Sequence, residues 1–169
     1  SRVYFKVRPR LLIDIPEQAK RAEDLGYDGI TMLELTVPPT LSATASAINT
    51  SQIDLLTGIF VAFPRSPMAT AYDAWAIQSL SNGRFQLGLG AQTKSHLTRR
   101  WSIEQVPPVP RMREYVESLR AIWDCWQNGT RLSYEGDHYQ FSLMIPYYNP
   151  GPIDNPHIPI YLAAINKFM

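Results

Sequence analysis

Polar and glycine residues that directly follow apolar segments are the first candidates for chemistry in this chain. Glu34 comes immediately after the apolar residues 29–33, where its carboxylate could accept a proton or hydrogen-bond a ligand; the alternative is a solvated loop carboxylate. Gly88 and Gly90 close another apolar segment, and they either let the backbone approach a ligand or form a tight turn. These positions predict a ligand-binding face with Glu34 as its candidate catalytic residue.

A run of basic residues follows the second of these segments. Lys94, Arg99 and Arg100 could hold a phosphate or the acidic tail of a cofactor, although such residues also form solvated surfaces. His96 and His138 could act as general bases, but neither has a carboxylate at the spacing of metal ligands. The sequence therefore predicts an anion contact at Lys94 and no metal site.

These candidates depend on a strand–helix–strand pattern. Residues 53–63 are almost continuously apolar, and residues 84–89 resemble a second buried strand. Between them, residues 68–80 carry apolar side chains at helical spacing, namely Met68, Ala71, Tyr72, Trp75 and Leu80. Because a helix joins the two strands, we expect parallel strands in an α/β protein, with the active site at their carboxyl ends.

The rest of the chain repeats this pattern about four times and ends with a last strand. Further strands are predicted at residues 29–33 and 159–164, and a first strand at either 3–7 or 11–13. Further helices are predicted at residues 16–25, 39–49 and 111–127. A polar loop is predicted at residues 91–108, and a hairpin at residues 132–134 and 138–141.

The repeated units favour one particular architecture. No GxGxxG motif opens a helix, so a dinucleotide-binding Rossmann fold has no support. A (β/α) barrel needs eight strands and typically about 250 residues, and about five strands are present here. The predicted fold class is therefore α/β: a single domain over residues 1–169 that forms a partial (β/α)8 TIM-like barrel, about its first five strands, with a β-hairpin insertion before the fifth strand.

The composition is that of a globular chain with balanced charge. The 169 residues are 45% hydrophobic, and the formal net charge of +1 argues against nucleic acid or an anionic membrane as the main partner. Basic residues near the start argue against a signal peptide, and no apolar run is long enough to cross a bilayer. The single cysteine, Cys125, is expected in the core beside Trp123 and Trp126, and its being single favours a cytoplasmic protein.

Six groups of motifs give the chain a resemblance to a known family. They are AEDLGYDG (residues 22–29), LTGI (56–59), AFPRSP (62–67), SNGRF with LGLG (81–85 and 87–90), RMREY with AIW (111–115 and 121–123) and PIYLAA (159–164). In this order and spacing they resemble the luciferase-like monooxygenase superfamily, and within it the branch of F420-dependent oxidoreductases. The resemblance implies a TIM-like barrel with its cofactor ring at the carboxyl ends of the strands. The implied cofactor is coenzyme F420, or alternatively FMN.

The same resemblance implies which residues would meet the cofactor. Gly58 and Ile59 match a place where many members have a non-prolyl cis peptide, in a bulge that backs the ring. Glu34 matches an acidic residue that often follows the second strand. The other implied contacts are Gly90, Ala91 and Gln92 after the fourth strand, and Ala164 and Asn166 after the fifth.

Departures from the family pattern narrow the implied activity. Some F420-dependent dehydrogenases have a histidine where this chain has Leu35, and a glutamate where it has Thr93. The resemblance therefore implies hydride transfer between the cofactor and a small organic substrate, without support for sugar-phosphate or alcohol dehydrogenation. Strands six to eight of the family's barrel have no counterpart here. We expect a fragment of a longer reading frame; the alternative is a non-catalytic truncated barrel that binds flavin or assembles as a homo-oligomer.

Overall fold

The computed structural model describes residues 1–164 and contains a parallel sheet with helices packed against it. The strands are β1 (Tyr4–Val7), β2 (Gly29–Met32), β3 (Asp54–Thr57), β4 (Phe60–Val61), β5 (Phe85–Gly90), β6 (Tyr134–Glu135), β7 (Gln140–Phe141) and β8 (Ile160–Leu162). β3 and β4 follow one another along the same side of β5, so the sheet runs β1–β2–β3/β4–β5–β8 with every pairing parallel. β6 and β7 pair separately as an antiparallel hairpin.

The helices begin and end where local chemistry favours it. They are α1 (Ile15–Asp24), α2 (Pro39–Asn49), α3 (Pro67–Leu80), α4 (Lys94–Arg99) and α5 (Pro108–Asn128). Ser66 caps α3, because its hydroxyl accepts the Met68 N–H at 3.2 Å, and Pro67 has no backbone N–H that would need an acceptor in the first turn. Gly129 ends α5 with a left-handed φ of 67°, and its N–H donates to the Cys125 carbonyl.

The core between α3 and α5 is aromatic. The ring of Trp75 stacks on that of Trp123 with centroids 6.4 Å apart and meets Trp126 edge-on at 5.8 Å. These residues and Cys125 are buried, which confirms the prediction that they are core residues. Burial raises the pKa of the Cys125 thiol, so it stays protonated and unreactive at neutral pH. Leu80, which shares the helical spacing, is 49% exposed at the end of α3.

Two charged side chains hold the amino-terminal end of the sheet. Arg84 lies just before β5 and donates to five oxygens at 2.8–3.2 Å: the carbonyls of Ala47, Thr50, Ile53 and Ser81 and the Thr50 hydroxyl. Glu23 lies in α1, and one of its oxygens accepts the backbone N–H groups of Ser51, Gln52 and Ile53 at 2.7–3.2 Å. Both side chains therefore fix the loops that lead into β3 and β5.

Most of the predicted elements are confirmed. The strands predicted around residues 53–63 and 84–89 are parallel neighbours, and the last strand and the hairpin are present. The first strand is the one at residues 3–7, whereas residues 11–13 lead into a 3-10 turn at Leu12–Asp14. The loop predicted for residues 91–108 was partly wrong, because it contains α4. That helix buries one apolar side chain, Leu97, and so has no apolar periodicity to detect.

Candidate functional site

The sheet face that turns away from the helices changes in character from one end to the other. At its amino-terminal end, the Tyr4 hydroxyl donates to Asp54 Oδ2 at 3.0 Å, and the Gln86 amide donates to the same oxygen at 2.9 Å. Alternate residues of a strand share a face, so Gly88 and Gly90 lie on the same face as Gln86. This inner face is therefore polar and filled at one end and made of glycine backbone at the other.

A β-bulge lies between β3 and β4, beside the glycines at the carboxyl end of β5. Leu56 pairs with Gln86 and Phe60 with Leu89, so three residues of one strand line, 57–59, oppose two residues of β5, 87–88. The Gly58–Ile59 peptide bond is cis, which confirms the geometry that the family resemblance implied. A side chain on Gly58 would collide with Thr31 Cγ2, so this position needs glycine for its close approach to β2.

On the β5 side of the bulge, the Thr57 side chain replaces the backbone hydrogen bonds that the bulge removes from β5. Its hydroxyl donates to the Gly88 carbonyl at 2.9 Å and accepts the Gly88 N–H at 2.8 Å. Thr57 is buried, so water is excluded as a substitute partner. Sequence reasoning missed this role; the available signal was a hydroxyl residue directly before a glycine in an otherwise apolar strand. Gly88 is required here because a Cβ would collide with the Thr57 carbonyl oxygen.

Glu34 lies on the opposite, β2 side of the bulge. Its carboxylate forms a two-pronged ion pair with Arg65, with N–O distances of 2.7 and 3.1 Å, and accepts the Val61 N–H at 2.6 Å. The Arg65 guanidinium also donates to the Val61 carbonyl at 2.9 Å. The Glu34 side chain is only 6% exposed. Both oxygens of Glu34 are therefore already hydrogen-bonded in the structure. Its predicted acid–base role stays a prediction.

Arg65 also contacts two aromatic rings. Its guanidinium carbon lies 4.3 Å from the ring centroid of Phe60 and 5.5 Å from that of Trp101. Phe60 belongs to β4, and Trp101 follows α4. Arg65 was quoted in a motif but not predicted as a site residue, and a single arginine in a loop gives no signal of such contacts. It joins the loops that follow β2, β4 and α4.

The predicted residues after β5 stand at the glycine end of the inner face. Gly90 is buried, and a Cβ there would meet the outer atoms of the Ile59 side chain. Ala91 is 7% exposed, and Gln92 has a left-handed φ of 66°. The structure thus brings Gly58, Ile59 and Gly90 together, and Ala91 and Gln92 follow Gly90 directly in the chain. Their contact with a cofactor remains a prediction.

The basic residues of α4 form an exposed surface next to this end of the sheet. Lys94 begins the helix, and a shallow hollow of about 340 Å³ is lined by Ser95, His96, Arg99 and Arg100. Within residues 1–164, none of these basic side chains makes an ion pair. One Arg100 nitrogen lies 3.4 Å from the Leu35 carbonyl, so this surface adjoins the loop that carries Glu34.

The last predicted contacts lie at the edge of the described residues. Ala163 continues the ladder of β8, because its N–H donates to the Leu89 carbonyl at 2.9 Å, and Ala164 is exposed after it. Asn166 lies outside the described residues.

A larger hollow, of about 720 Å³, lies between the end of α5 and residues 142–152, away from the carboxyl ends of the strands. It is therefore separate from the candidate site.

Neither a cluster of metal-ligand side chains nor a membrane-spanning helix occurs within residues 1–164. Among residues 1–164, no group of three or more His, Cys, Asp or Glu side chains is arranged to hold a metal ion. In the same part of the chain, no helix combines the length and the apolar character that a membrane span requires.

Comparison with known proteins identifies sequence relatives. Residues 10–169 match the family model of the luciferase-like monooxygenases. An uncharacterized protein of Mycobacterium tuberculosis strain H37Rv is 40% identical over 169 residues, which cover 95% of this chain and 50% of the relative. The 5,10-methylenetetrahydromethanopterin reductase of Archaeoglobus fulgidus is 31% identical over 147 residues, covering 86% of this chain and 41% of the reductase. The chain therefore spans about half the length of the curated relatives it matches.

Solved structures share the fold. A monooxygenase from Streptomyces bottropensis superposes with a TM-score of 0.81 at 19% identity, over 98% of this chain and 54% of its own. The coenzyme F420-dependent tetrahydromethanopterin reductase of Methanopyrus kandleri gives 0.78 at 21%, over 98% and 50%. A Baeyer–Villiger monooxygenase of Pseudomonas putida in complex with FMN gives 0.77 at 15%, over 95% and 50%. At these identities the matches establish the fold alone, and they confirm the predicted partial TIM-like barrel.

Proposed function

The chain belongs to the luciferase-like monooxygenase family, and we propose that it supplies the cofactor-backing part of a flavin- or deazaflavin-dependent oxidoreductase. The proposed reaction is hydride transfer between the cofactor and a small organic substrate. The observation that carries this proposal is the bulge at residues 57–59, which meets the glycines of β5 at the carboxyl end of a parallel sheet.

The residues at this end of the sheet suit a planar ring. Gly88 and Gly90 let the bulge lie close against β5, because the Thr57 carbonyl oxygen and the Ile59 side chain occupy the places where their Cβ atoms would be. Ile59 packs over the position where Gly90 lacks a Cβ and adds an apolar surface beside the glycines. These features support a site for the face of a flavin or deazaflavin ring.

In such a site the bound cofactor supplies the hydride chemistry, and the protein supplies position and surroundings. Gly58 and Ile59 would back the ring, while Gly90, Ala91 and Gln92 would line its edge. Ala164, just after β8, would contact it as well, and Asn166 is a further proposed contact. Lys94, Arg99 and Arg100 would attract a phosphate or an acidic tail, because they form an exposed basic surface beside the same strand ends.

Coenzyme F420 is the cofactor we propose first, and FMN is the alternative. F420 is favoured by the motif resemblance and is named for the similar reductase of Methanopyrus kandleri. FMN is named for the similar monooxygenase of Pseudomonas putida. The expected location of the protein is the cytoplasm, on the basis of its single cysteine.

Cofactor titration tests the proposal. F420 and FMN would be added separately to the purified protein, and binding followed by cofactor fluorescence. We expect one of them to bind, and we expect Gly90→Val to weaken that binding at least tenfold, because the added side chain would displace Ile59, which we propose backs the ring. Gly129→Ala is the matched control, because it changes a glycine at the far end of α5. Failure of the wild-type protein to bind either cofactor, or unchanged binding by Gly90→Val, would contradict the proposal.

A second candidate function is self-assembly, and the open side of the sheet favours it. Within the described residues, β8 pairs only with β5, and its Tyr161 and Leu162 are about half exposed. An apolar groove of about 370 Å³, lined by Val109, Met112, Val116 and Leu162 among others, lies beside that edge. Exposed strand edges pair readily with other chains. Sedimentation analysis tests this candidate: a concentration-independent monomer would exclude it.

A further inference from the structure

We propose that Glu34 and Arg65 act as a positioning pair, which completes the hydrogen bonding of β4 where β2 ends and so holds the bulge against the cofactor ring. Glu34 then has a structural task at the site and no part in proton transfer. This inference rests on the cofactor site proposed above. It assigns a role to Arg65, and it replaces the acid–base role that the position of Glu34 suggests from the sequence.

The first step of the argument is that β2 is too short to cover β4. The last residue of β2 is Met32, whose carbonyl accepts the Gly58 N–H at 2.7 Å. Among residues 1–164, β4 pairs beyond that point with β5 alone, and the Ala62 N–H donates to the Gly90 carbonyl. In a parallel strand, successive residues direct their backbone groups to opposite sides. The N–H and C=O of Val61 therefore point toward the side that β2 has left.

The second step is that the ion pair satisfies both of these backbone groups. Glu34 accepts the Val61 N–H at 2.6 Å, and Arg65 donates to the Val61 carbonyl at 2.9 Å. The backbone hydrogen bonds that a longer β2 would have made to Val61 are thus replaced by the Glu34 carboxylate as acceptor and the Arg65 guanidinium as donor, which also form an ion pair with each other. Val61 is 1% exposed, so water cannot take over, and an unsatisfied backbone group there would be costly.

The third step concerns the carboxylate itself. Glu34 Oε1 lies 2.7 Å from one Arg65 nitrogen, while Oε2 meets the second Arg65 nitrogen and the Val61 N–H. A proton acceptor needs an oxygen directed at the group that it deprotonates. Here Arg65 and the Val61 N–H already engage both oxygens, so neither is directed at a substrate. This geometry suits a fixed positioning residue and not a general base.

The fourth step links the pair to the residues around the bulge. The Arg65 guanidinium lies over Phe60, the residue directly after Ile59, and near the ring of Trp101. The pair therefore contacts β4 at two points immediately beyond the bulge: it hydrogen-bonds the backbone of Val61, and Arg65 packs on the ring of Phe60. Loss of Arg65 would free the strand that follows Ile59 and shift the surface proposed to back the ring.

Cofactor affinity and thermal stability, measured on the same variants, test the inference. The variants are Arg65→Met, Arg65→Lys and Glu34→Gln, and binding of F420 and FMN would be measured well below each unfolding temperature. We expect at least a tenfold rise in the dissociation constant for Arg65→Met and Glu34→Gln, and a smaller rise for Arg65→Lys, which keeps the charge and one donor. Arg84→Lys is the matched control: it weakens hydrogen bonds at the other end of the sheet, so it should lower the melting temperature without changing affinity.

The outcomes separate this inference from the proposed function. If the wild-type protein binds neither cofactor, the proposed function fails and the inference fails with it. If the wild-type protein binds and all Glu34 and Arg65 variants bind equally well, the inference alone is overturned. Arg65→Lys keeps the test valid if Arg65→Met does not fold. In the full enzyme, a Glu34→Gln change that lowers kcat with unaltered cofactor affinity would identify Glu34 as a proton carrier and overturn the positioning role.

Discussion

Arg84 and Arg65 lie at opposite ends of the same sheet, and each donates hydrogen bonds to backbone carbonyls that the sheet leaves without a partner. Arg84 donates to five oxygens of the loops that enter β3 and β5, and the inner face at that end is filled by Tyr4, Asp54 and Gln86. Arg65 holds a strand beyond a bulge, and the inner face at that end is glycine. Polar side chains therefore fill the inner face at the amino-terminal end, whereas at the other end the bulge residues Thr57 and Ile59 lie against the β5 glycines and form the surface that we propose meets the cofactor.

The largest effect is expected from removing the arginine of the amino-terminal end. Arg84→Met would leave the carbonyls of Ala47, Ile53 and Ser81 without their donor, and we expect the free energy of unfolding to fall by about 4 kcal/mol. Chemical denaturation would measure it, with Arg131→Met, on an exposed side chain, as the control. A loss no larger than that of the control would remove the contrast between the two ends.

The next largest effect is expected at the glycine end. Gly88→Ala would place a Cβ against the Thr57 carbonyl oxygen, which belongs to backbone and cannot rotate away, so we expect a loss of about 3 kcal/mol. Gly90→Ala would instead meet the flexible end of Ile59, and it should cost about 1 kcal/mol or less. Chemical denaturation of both variants measures the two losses in the free energy of unfolding. Equal losses would contradict the different packing of Gly88 and Gly90.

A smaller effect is expected from the hydroxyl that bridges the bulge. Thr57→Val keeps the shape of the side chain but leaves the N–H and carbonyl of Gly88 without partners, and we expect it to cost about 2 kcal/mol. Thr57→Ser keeps the hydroxyl and is the matched control, with an expected loss of about 1 kcal/mol for its missing methyl. Thermal unfolding compares the two, and a Val variant as stable as the Ser variant would exclude the bridging role.

The smallest effect is a pH dependence at the amino-terminal end. Burial alone would raise the pKa of Glu23, but its three backbone N–H donors outweigh burial, so the pKa lies below its ordinary value of 4.5. A lowered pKa stabilises the folded state above the unfolded pKa, and this stabilisation is lost as pH falls through the folded value. We expect Glu23→Gln to cost about 1 kcal/mol at pH 7 and progressively less below pH 4.5. Denaturation at both pH values checks this, and a pH-independent difference would contradict it.

The sequence was sufficient for most of the fold. Continuous apolar runs, helical spacing in α3 and α5, and the glycine after α5 predicted a parallel α/β arrangement with a hairpin before the last strand. α4 escaped prediction because a short helix that buries only Leu97 leaves no periodic signal. Leu80 fits the helical spacing of α3 and is nevertheless exposed, because spacing alone does not tell where a helix leaves the core.

The candidate site was predictable only in part. The position of Glu34 after β2 and the glycines of β5 were visible in the sequence, because strand ends and missing side chains are local features. The engagement of Glu34 by Arg65 was not visible, since the two residues are 31 positions apart and meet only when β4 lies beside the loop after β2. The same holds for Thr57 and Gly88, which are also 31 positions apart.

The sequence by itself therefore determined which segments form strands and helices and that the strands run parallel, because those properties follow from hydrophobic periodicity and from helical connections. Only the tertiary structure decided how the hydrogen bonds lost at the bulge are replaced. That outcome depends on where β2 stops relative to β4 and on which side chains from distant segments then reach Val61 and Gly88. Register and strand length are set by the packing of the whole sheet, so no local pattern could reveal that Glu34 is held by an arginine.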